Sequence, residues 1–413
     1  MTVLSKVALP ELPSLTGLRY WAAFSILLNH LLLGFVARDN AYFSTMLNTC
    51  GFLGMNVFFV LSGFIIHYNY HQKLEDFRLS SFYEFILARF ARLYPLYIVI
   101  FCVELTTVGL SKFNTGELQK AFVLFLTMSQ TWFYWKLETG QSVPYMFDRF
   151  SLSWSISTEF LMYCGYPALL WIFLRDKTGH RTRIVVSIVV CLAASLFIRA
   201  ALNNIQAVDA ITTQVFGPRS AIANGFTHSS AWWLVWTSPY LRFFEFIVGA
   251  VVAHNFLRLR HVPVGSREGL IMPLVGLLAF LFIIGTFIPR ESQPAIISET
   301  YKHLGYFPFI ALIVFVCARY DFALVTRFFE VRFFVFFGEC SYSMYLIHIF
   351  IYSLSQQAPA GPFETIARII VLWTTVFACS FVLYTYLEMP ARRWVRNALT
   401  RTGRRPDRQP QPA

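Results

Sequence analysis

The sequence LRYWAAFSILLNHLLLGFVA, residues 18–37, predicts a membrane-spanning helix, because an apolar run of this length is enough for a helix to cross the hydrocarbon core of a bilayer. Two ionisable residues interrupt the run, Arg19 at its start and His30 further along. A helical rise of 1.5 Å per residue separates them by roughly 16 Å along the axis. Ionisable side chains are costly inside a membrane helix and commonly functional. We therefore expect a buried base at His30, with a cation below it at Arg19.

The composition indicates a membrane protein. Of 413 residues, 56% are hydrophobic and only 14% are charged, which lies outside the range of soluble globular proteins. The net charge of +12 would suit a nucleic-acid partner, but the basic residues cluster in short segments between apolar runs, as topology determinants do. We therefore predict a lipid bilayer and no nucleic acid as a partner. The seven cysteines show no CxxC or other metal spacing, so neither a disulfide framework nor a metal site is predicted.

Ten apolar stretches predict an all-α polytopic bundle of about ten transmembrane helices. They lie at 18–37, 50–70, 93–110, 152–174, 184–202, 232–254, 268–288, 304–318, 333–356 and 364–387. An eleventh stretch, 118–136, is interrupted by Lys120, Gln130 and Lys136. The basic segments on either side of it, 71–92 and 175–183, should both be cytoplasmic, which requires an even number of crossings between them. We therefore predict that 118–136 is interfacial or re-entrant.

This topology places both termini in the cytoplasm and the protein in the cell's inner (plasma) membrane. Residues 1–393 form one predicted transmembrane domain. Residues 394–413 are rich in Arg, Pro and Gln and are predicted to be a disordered, basic cytoplasmic tail.

Three polar residues on different predicted spans fall at one depth. His30 rises from the inner face, Glu159 lies roughly 10 Å below the outer start of its span, and His348 lies about 22 Å above the inner start of its own. The three should converge in the outer half of the bilayer as catalytic groups. Glu159 or His348 would then hold the tautomer of His30. The structural alternatives are a hydrogen-bonded core histidine and a buried acceptor.

Arg89 and Arg92, in LARFARLYPLY, share one helix face at the cytoplasmic boundary. They are either snorkelling anchors or a clamp for an anionic phosphate group, and Arg19 fits both readings.

Two further pairs of charges are interpreted as structural ion pairs, Arg242 with Glu245 and Glu388 with Arg392. The glycines of GFLGMNVFFVLSGF, of which Gly63 is the last, should allow close helix packing.

Seven sequence motifs follow one another along the chain: LTGLRYWAAFSILLNH (15–30), NVFFVLSGF (56–64), RFARLYPLY (89–97), SLSWSISTEFLMY (151–163), FFEFIVGA (243–250), GECSYSMYLIHIF (338–350) and EMPARR (388–393). In this order, they resemble the motifs of the integral-membrane acyltransferase family 3. The resemblance covers nearly the whole chain. It implies a bundle that takes an acyl group from cytoplasmic acyl-CoA and passes it to a hydroxyl of a carbohydrate or glycolipid acceptor. It also implies that Arg19 and His30 are functional, with Arg89 and Arg92 matching the family's paired arginines.

We therefore predict that the protein is an O-acyltransferase with no tightly bound cofactor. Its co-substrate is acyl-CoA, for which acetyl-CoA is the default assumption. The CoA phosphates would dock at Arg89 and Arg92 with help from Arg19, and His30 would deprotonate the acceptor. Direct transfer is favoured because no serine or cysteine is obviously paired with a base. The hydroxyls of Ser62 and Ser153 leave an acyl-enzyme open. Alternatives are acylation of a small secreted metabolite sugar, or a transporter or flippase of a lipid-linked sugar, although the repeated halves common in transporters are not evident.

Overall fold

The computed structural model describes residues 10–33, 40–76, 78–107, 115–173, 180–289, 292–354 and 361–403. Within these ranges the chain is helical and contains no strand, and an isolated bridge joins Lys136 to Ser142. The all-α prediction is confirmed. The helices are α1 (Pro13–Leu33), α2 (Ala41–Leu74), α3 (Leu79–Thr107), α4 (Thr115–Leu126), α5 (Ser153–Phe173), α6 (His180–Asn203), α7 (Ile205–Phe216), α8 (Ser230–Trp232), α9 (Pro239–Leu259), α10 (Ser266–Gly285), α11 (Ala295–Leu304), α12 (Phe307–Arg319), α13 (Leu324–Phe329), α14 (Arg332–Glu339), α15 (Ser341–Ser353), α16 (Pro362–Leu383) and α17 (Met389–Gly403).

Several of these helices can cross a membrane, so the chain is a multi-pass membrane protein. Among the described residues, six helical stretches are long and apolar enough, and eight if each of two bent helix pairs is one span. The predicted count of about ten is not confirmed. The six stretches are Tyr42–Leu74, Leu79–Thr107, Val185–Asn203, Ser230–Leu259, Ser266–Gly285 and Phe363–Val395.

Two long helices outside these six, α1 and α5, carry three of the predicted site residues, Arg19, His30 and Glu159. Each has 21 residues, which corresponds to about 31 Å of helix. Polar residues lower their hydropathy: Arg19, Asn29 and His30 in α1, and a run of hydroxyl side chains followed by Glu159 in α5. Most of the α5 hydroxyls are buried, so these helices turn polar faces into the bundle and not towards lipid.

The predicted span 93–110 is the second half of a longer helix. α3 begins at Leu79, so Arg89 and Arg92 lie within a helix and not in the segment that precedes one. Leucine, alanine and arginine are all strong helix formers, which explains why the helix runs through this basic stretch. Pro95 lies inside α3 without ending it, as is tolerated in membrane helices.

The stretch 118–136 does not form a spanning helix. Its helical part, α4, has 12 residues, or about 18 Å, which is shorter than a hydrocarbon core. Turns and short 3₁₀ segments follow it as far as α5. This is the behaviour expected of an interfacial or re-entrant segment.

The predicted span 333–356 is broken. α14 and α15 meet at Cys340 with a bend of 72°, and residues 355–356 lie outside the described residues. The depth assigned to His348 from one straight helix is therefore wrong. His348 lies seven residues into α15, about 10 Å from its start. The predicted span 304–318 corresponds to α12, and a bend of 92° separates α12 from the preceding α11.

The C-terminal tail begins later than predicted, because α17 continues through residues 394–403. Residues 404–413 of the predicted tail lie outside the described residues.

α2 runs through the centre of the bundle, between α1 and α9. Gly63 of α2 faces the carbonyl oxygen of Phe246 in α9, and Gly249 of α9 faces the carbonyl oxygen of Val60 in return. A Cβ atom at either glycine would overlap the opposite backbone. The close packing predicted for Gly63 is therefore confirmed, and it fixes α2 against α9.

The substitution Gly63→Ala is expected to destabilise the fold. The added methyl group must push α2 away from α9, and overpacking of this kind costs about 1–3 kcal/mol. Thermal unfolding of the detergent-purified protein measures the effect. The matched control is Gly265→Ala, because no atom lies within 4 Å of a Cβ built there. Equal melting temperatures for the two variants would contradict the packing argument.

Candidate active site

The structure brings the two predicted histidines together. His30 on α1 and His348 on α15 stack with their rings 16° from parallel, and His30 Nδ1 lies 2.9 Å from His348 Nε2. His348 is fully buried, whereas His30 is half-buried. The other ring nitrogen of His348, Nδ1, lies 3.2 Å from the carbonyl oxygen of Met344.

These contacts fix the tautomers of the neutral pair. A carbonyl oxygen only accepts, so His348 Nδ1–H must donate to Met344. His348 Nε2 then carries a lone pair and accepts the hydrogen of His30 Nδ1. His30 Nε2 is therefore left unprotonated and can take up a proton. Because the acceptor His348 Nε2 holds the ring of His30 in one orientation, His30 is an oriented base.

Glu159 does not join the histidines, in contrast to the predicted convergence of all three groups. Its Oε1 accepts a hydrogen bond from Ser62 Oγ at 2.5 Å and another from the hydroxyl of Tyr163. The two hydroxyl oxygens are 3.2 Å apart. Of the two predicted partners for His30, the structure thus selects His348. Depth along a helix is independent of the direction in which a side chain points, and this is why the prediction failed for Glu159.

Glu159 lines a central cavity between α1, α2, α3, α5 and α15. Arg19 and Arg92 line the same cavity and interact electrostatically with the Glu159 carboxylate. Neither guanidinium group has a hydrogen-bond partner among the residues that the structure describes, so both can serve a ligand. The polar lining of the central cavity consists of Arg19, Ser62, Arg92, Ser155, Glu159, Tyr163, Ser341, Tyr342 and Tyr345.

A second cavity adjoins the first and shares Arg19 and Arg92 with it. We call this cavity the basic mouth, because its lining contains Arg19, Arg89, Arg92 and Arg392 and a single acidic residue, Glu339. Arg89 and Arg92 therefore face the same space, as their spacing predicts. Two adjoining cavities, one of them strongly basic, suit a long anionic ligand.

Local contacts hold the outer arginines of the basic mouth. Arg89 donates to the hydroxyl of Tyr70 at 2.6 Å and lies 4.7 Å from the centre of the same ring. Arg392 forms the predicted ion pair with Glu388, at 2.6 Å. The other predicted pair, Arg242 with Glu245, is also confirmed at 2.5 Å.

Tyr345 separates the histidine pair from the central cavity. Its side chain lines the cavity, and its ring centre lies 6.1 Å from that of His348. Neither histidine lines the central cavity or the basic mouth. The site therefore has two parts: an arginine-lined cavity that contains Glu159, and an oriented histidine pair behind Tyr345.

Three features of the site are absent from the sequence-based predictions. They are the pairing of Ser62 with Glu159, the place of Arg392 in the basic mouth, and Tyr345 between the two parts. The motif GECSYSMYLIHIF places Tyr345 three residues before His348, almost one helical turn, which was the available signal for that residue.

A family model described as an acyltransferase domain matches residues 12–385. The chain belongs to the integral-membrane acyltransferase family 3. The match includes Arg19, Arg89 and Arg92 as well as both histidines, so the whole candidate site lies within the family domain except for Arg392.

Curated members of family 3 are related over part of their length. The acyltransferase MdmB of Streptomyces mycarofaciens is 28% identical over 59% of this chain and 57% of its own. The peptidoglycan O-acetyltransferase OatA of Listeria monocytogenes is 25% identical over 92% of this chain and 56% of its own. The chain thus spans less than two thirds of these relatives. No solved structure gives a significant match.

Proposed function

We propose that this family 3 member is an O-acyltransferase that moves an acyl group, acetyl by default, from acyl-CoA to a sugar hydroxyl of a cell-surface polysaccharide or glycolipid. The main support for the proposal is the arrangement of the two cavities. The basic mouth opens into the central cavity, which ends at Tyr345, next to the oriented histidine pair. The basic end of the bundle faces the cytoplasm of the inner membrane in this proposal, in line with the positive-inside rule.

The donor binds at the basic mouth. CoA carries several phosphate groups, and arginine binds phosphate through paired N–H donors. Arg89 and Arg92 hold these groups, and Arg392 adds a third cation that is partly neutralised by Glu388. The pantetheine arm extends into the central cavity, where Arg19 and Arg92 can stabilise the oxyanion that forms at the thioester carbonyl.

The acceptor is activated at the histidine pair. His30 Nε2 takes the proton of the acceptor hydroxyl as that oxygen attacks the acyl carbon. His348 accepts the His30 Nδ1 hydrogen bond and so stabilises the imidazolium that forms. A sugar hydroxyl is the favoured acceptor because the related OatA of Listeria monocytogenes is named as a peptidoglycan O-acetyltransferase.

Mass spectrometry of surface glycans from a deletion strain tests the proposal. We expect ester-linked acyl groups to disappear while the sugar composition stays the same, and wild-type protein but not His30→Ala to restore them. Loss of whole sugar residues would favour a flippase and contradict the proposal. Intact glycans, with loss of an ester from a secreted small molecule, would move the acceptor to that class.

A further inference from the structure

Ser62 lies where the acyl group of a bound donor would be delivered. It is on α2, half-buried, and lines the central cavity together with Arg19 and Arg92. Its Oγ donates a hydrogen bond to Glu159 Oε1 at 2.5 Å, a short contact for a hydroxyl and a carboxylate. A hydroxyl that donates to a carboxylate is paired with a base, which is the arrangement of an activated nucleophile.

We propose that Ser62 is an acyl-accepting nucleophile that carries the acyl group as an ester between donor and acceptor, with Glu159 as its base. This inference rests on the proposed function, since it requires an acyl thioester as donor. It replaces direct transfer, which the sequence alone favours, by two successive half-reactions.

In the first half-reaction, Glu159 takes the proton of Ser62 as Oγ attacks the thioester carbonyl. The carbonyl oxygen becomes an oxyanion within the cavity that Arg19 and Arg92 line. The C–S bond then breaks, and the proton on Glu159 passes to the departing CoA thiolate. The products are CoA thiol and acyl-Ser62, and Glu159 is again a carboxylate.

In the second half-reaction, the acceptor hydroxyl attacks the acyl carbon of acyl-Ser62 and gives its proton to His30. The ester bond to Ser62 breaks, and the proton returns from the imidazolium to Ser62 Oγ. No electrons are gained or lost in either step. The net change is the transfer of the acyl group from sulfur to the acceptor oxygen.

Other hydroxyls in the region are less suitable. Tyr163 also donates to Glu159 and lines the cavity, but the residue is only 1% exposed, so its oxygen is less accessible to a thioester than that of the half-buried Ser62. Ser155 lines the cavity, but its hydroxyl contacts the carbonyl oxygen of Leu152 and the hydroxyl of Tyr345, which are not bases. Ser153 is fully buried and accepts from Gln130.

A covalent intermediate also accounts for the division of the site. Arginines and Glu159 line the cavity, whereas the histidine pair lies behind Tyr345. In direct transfer, donor and acceptor must meet at one base at the same time. An ester on Ser62 allows CoA to leave first. The acceptor then enters in a second step, in which His30 is the base, so that donor and acceptor do not have to be present together.

The test is to incubate the full chain, purified in lipid nanodiscs, with acetyl-CoA labelled in the acetyl group and without acceptor. Peptide mass spectrometry then locates any added acetyl group. We expect acetyl-Ser62 in the wild type and a higher yield in His30→Ala, in which the second half-reaction is blocked. Ser62→Ala should carry no label, and Ser62→Cys should carry a thioester that hydroxylamine removes.

The matched control is Ser25→Ala, because Ser25 lies on α1 beside a separate apolar cavity and donates to its own helix at Trp21. It should be labelled on Ser62 like the wild type. Label on Tyr163 or Ser155, or wild-type transfer by Ser62→Ala, would overturn the inference and leave the proposed function intact. If the wild type releases no CoA with any acceptor, the proposed function fails and the inference with it.

Discussion

Replacing His30 by alanine is expected to lower the rate of acyl transfer by about 10²–10⁴-fold, the usual contribution of a general base. Nε2 of His30 is unprotonated in the neutral pair, and among the residues that the structure describes no other base contacts His348. His30→Gln should be equally inactive, because an amide can still hydrogen-bond to His348 but cannot take up a proton at neutral pH. The rate of acyl-ester formation by purified protein measures both variants.

The matched control for His30 is His303→Ala. His303 lies on α11 with 61% of its side chain exposed, beside Glu299, and should tolerate the change. All variants should insert into the membrane and run as monodisperse protein. Wild-type turnover by His30→Gln would remove His30 from the chemistry and leave it a structural residue.

Charge reversal at Arg92 is also expected to have a large effect, an increase in the KM for acyl-CoA. Arg92→Glu places a carboxylate beside Glu159 in a cavity that we propose receives an anionic donor. A hydrogen bond to a charged group contributes about 1.5–3 kcal/mol, so loss of one phosphate contact alone should raise the KM for acyl-CoA about ten- to a hundredfold. Arg89→Glu should raise the same KM without a comparable fall in kcat, because Arg89 lines only the basic mouth.

The control for both arginines is Arg78→Glu. Arg78 precedes α3, pairs weakly with Asp76 at 3.6 Å and has 73% of its side chain exposed. Its reversal changes the net charge equally but should leave the KM unaltered. If Arg89→Glu behaves like Arg78→Glu, Arg89 is a snorkelling anchor and not part of the donor site.

The sequence predicts the helical class, the bundle and most of the residues that form the candidate site, because apolar runs and buried charges are signals of single helices. The proximity of His30 and His348 is predicted, but the bend at Cys340 makes the assumed depth of His348 wrong, so that depth does not explain the contact. In a straight helix, the depth of a residue in the membrane follows from its position in the sequence and does not require knowledge of the neighbouring helices.

The pairing of side chains could not be predicted, because it depends on how each helix is rotated and bent. Glu159 shares a helix face with Tyr163, about one turn away, and faces α2, which is why its partner is Ser62 and not a histidine. Arg392 reaches the basic mouth because a π-helical stretch, Tyr384–Glu388, precedes α17 and changes the helical register. No spacing rule in the sequence encodes either event.

Release of CoA thiol by the purified chain in nanodiscs, supplied with acetyl-CoA and a saccharide acceptor, measures the proposed acyl transfer. We expect acceptor-dependent CoA release with matching formation of acyl ester, a higher KM in Arg92→Glu, and background rates in His30→Ala. Release of CoA by His30→Ala at the wild-type rate and with the same ester yield would rule out the proposed mechanism.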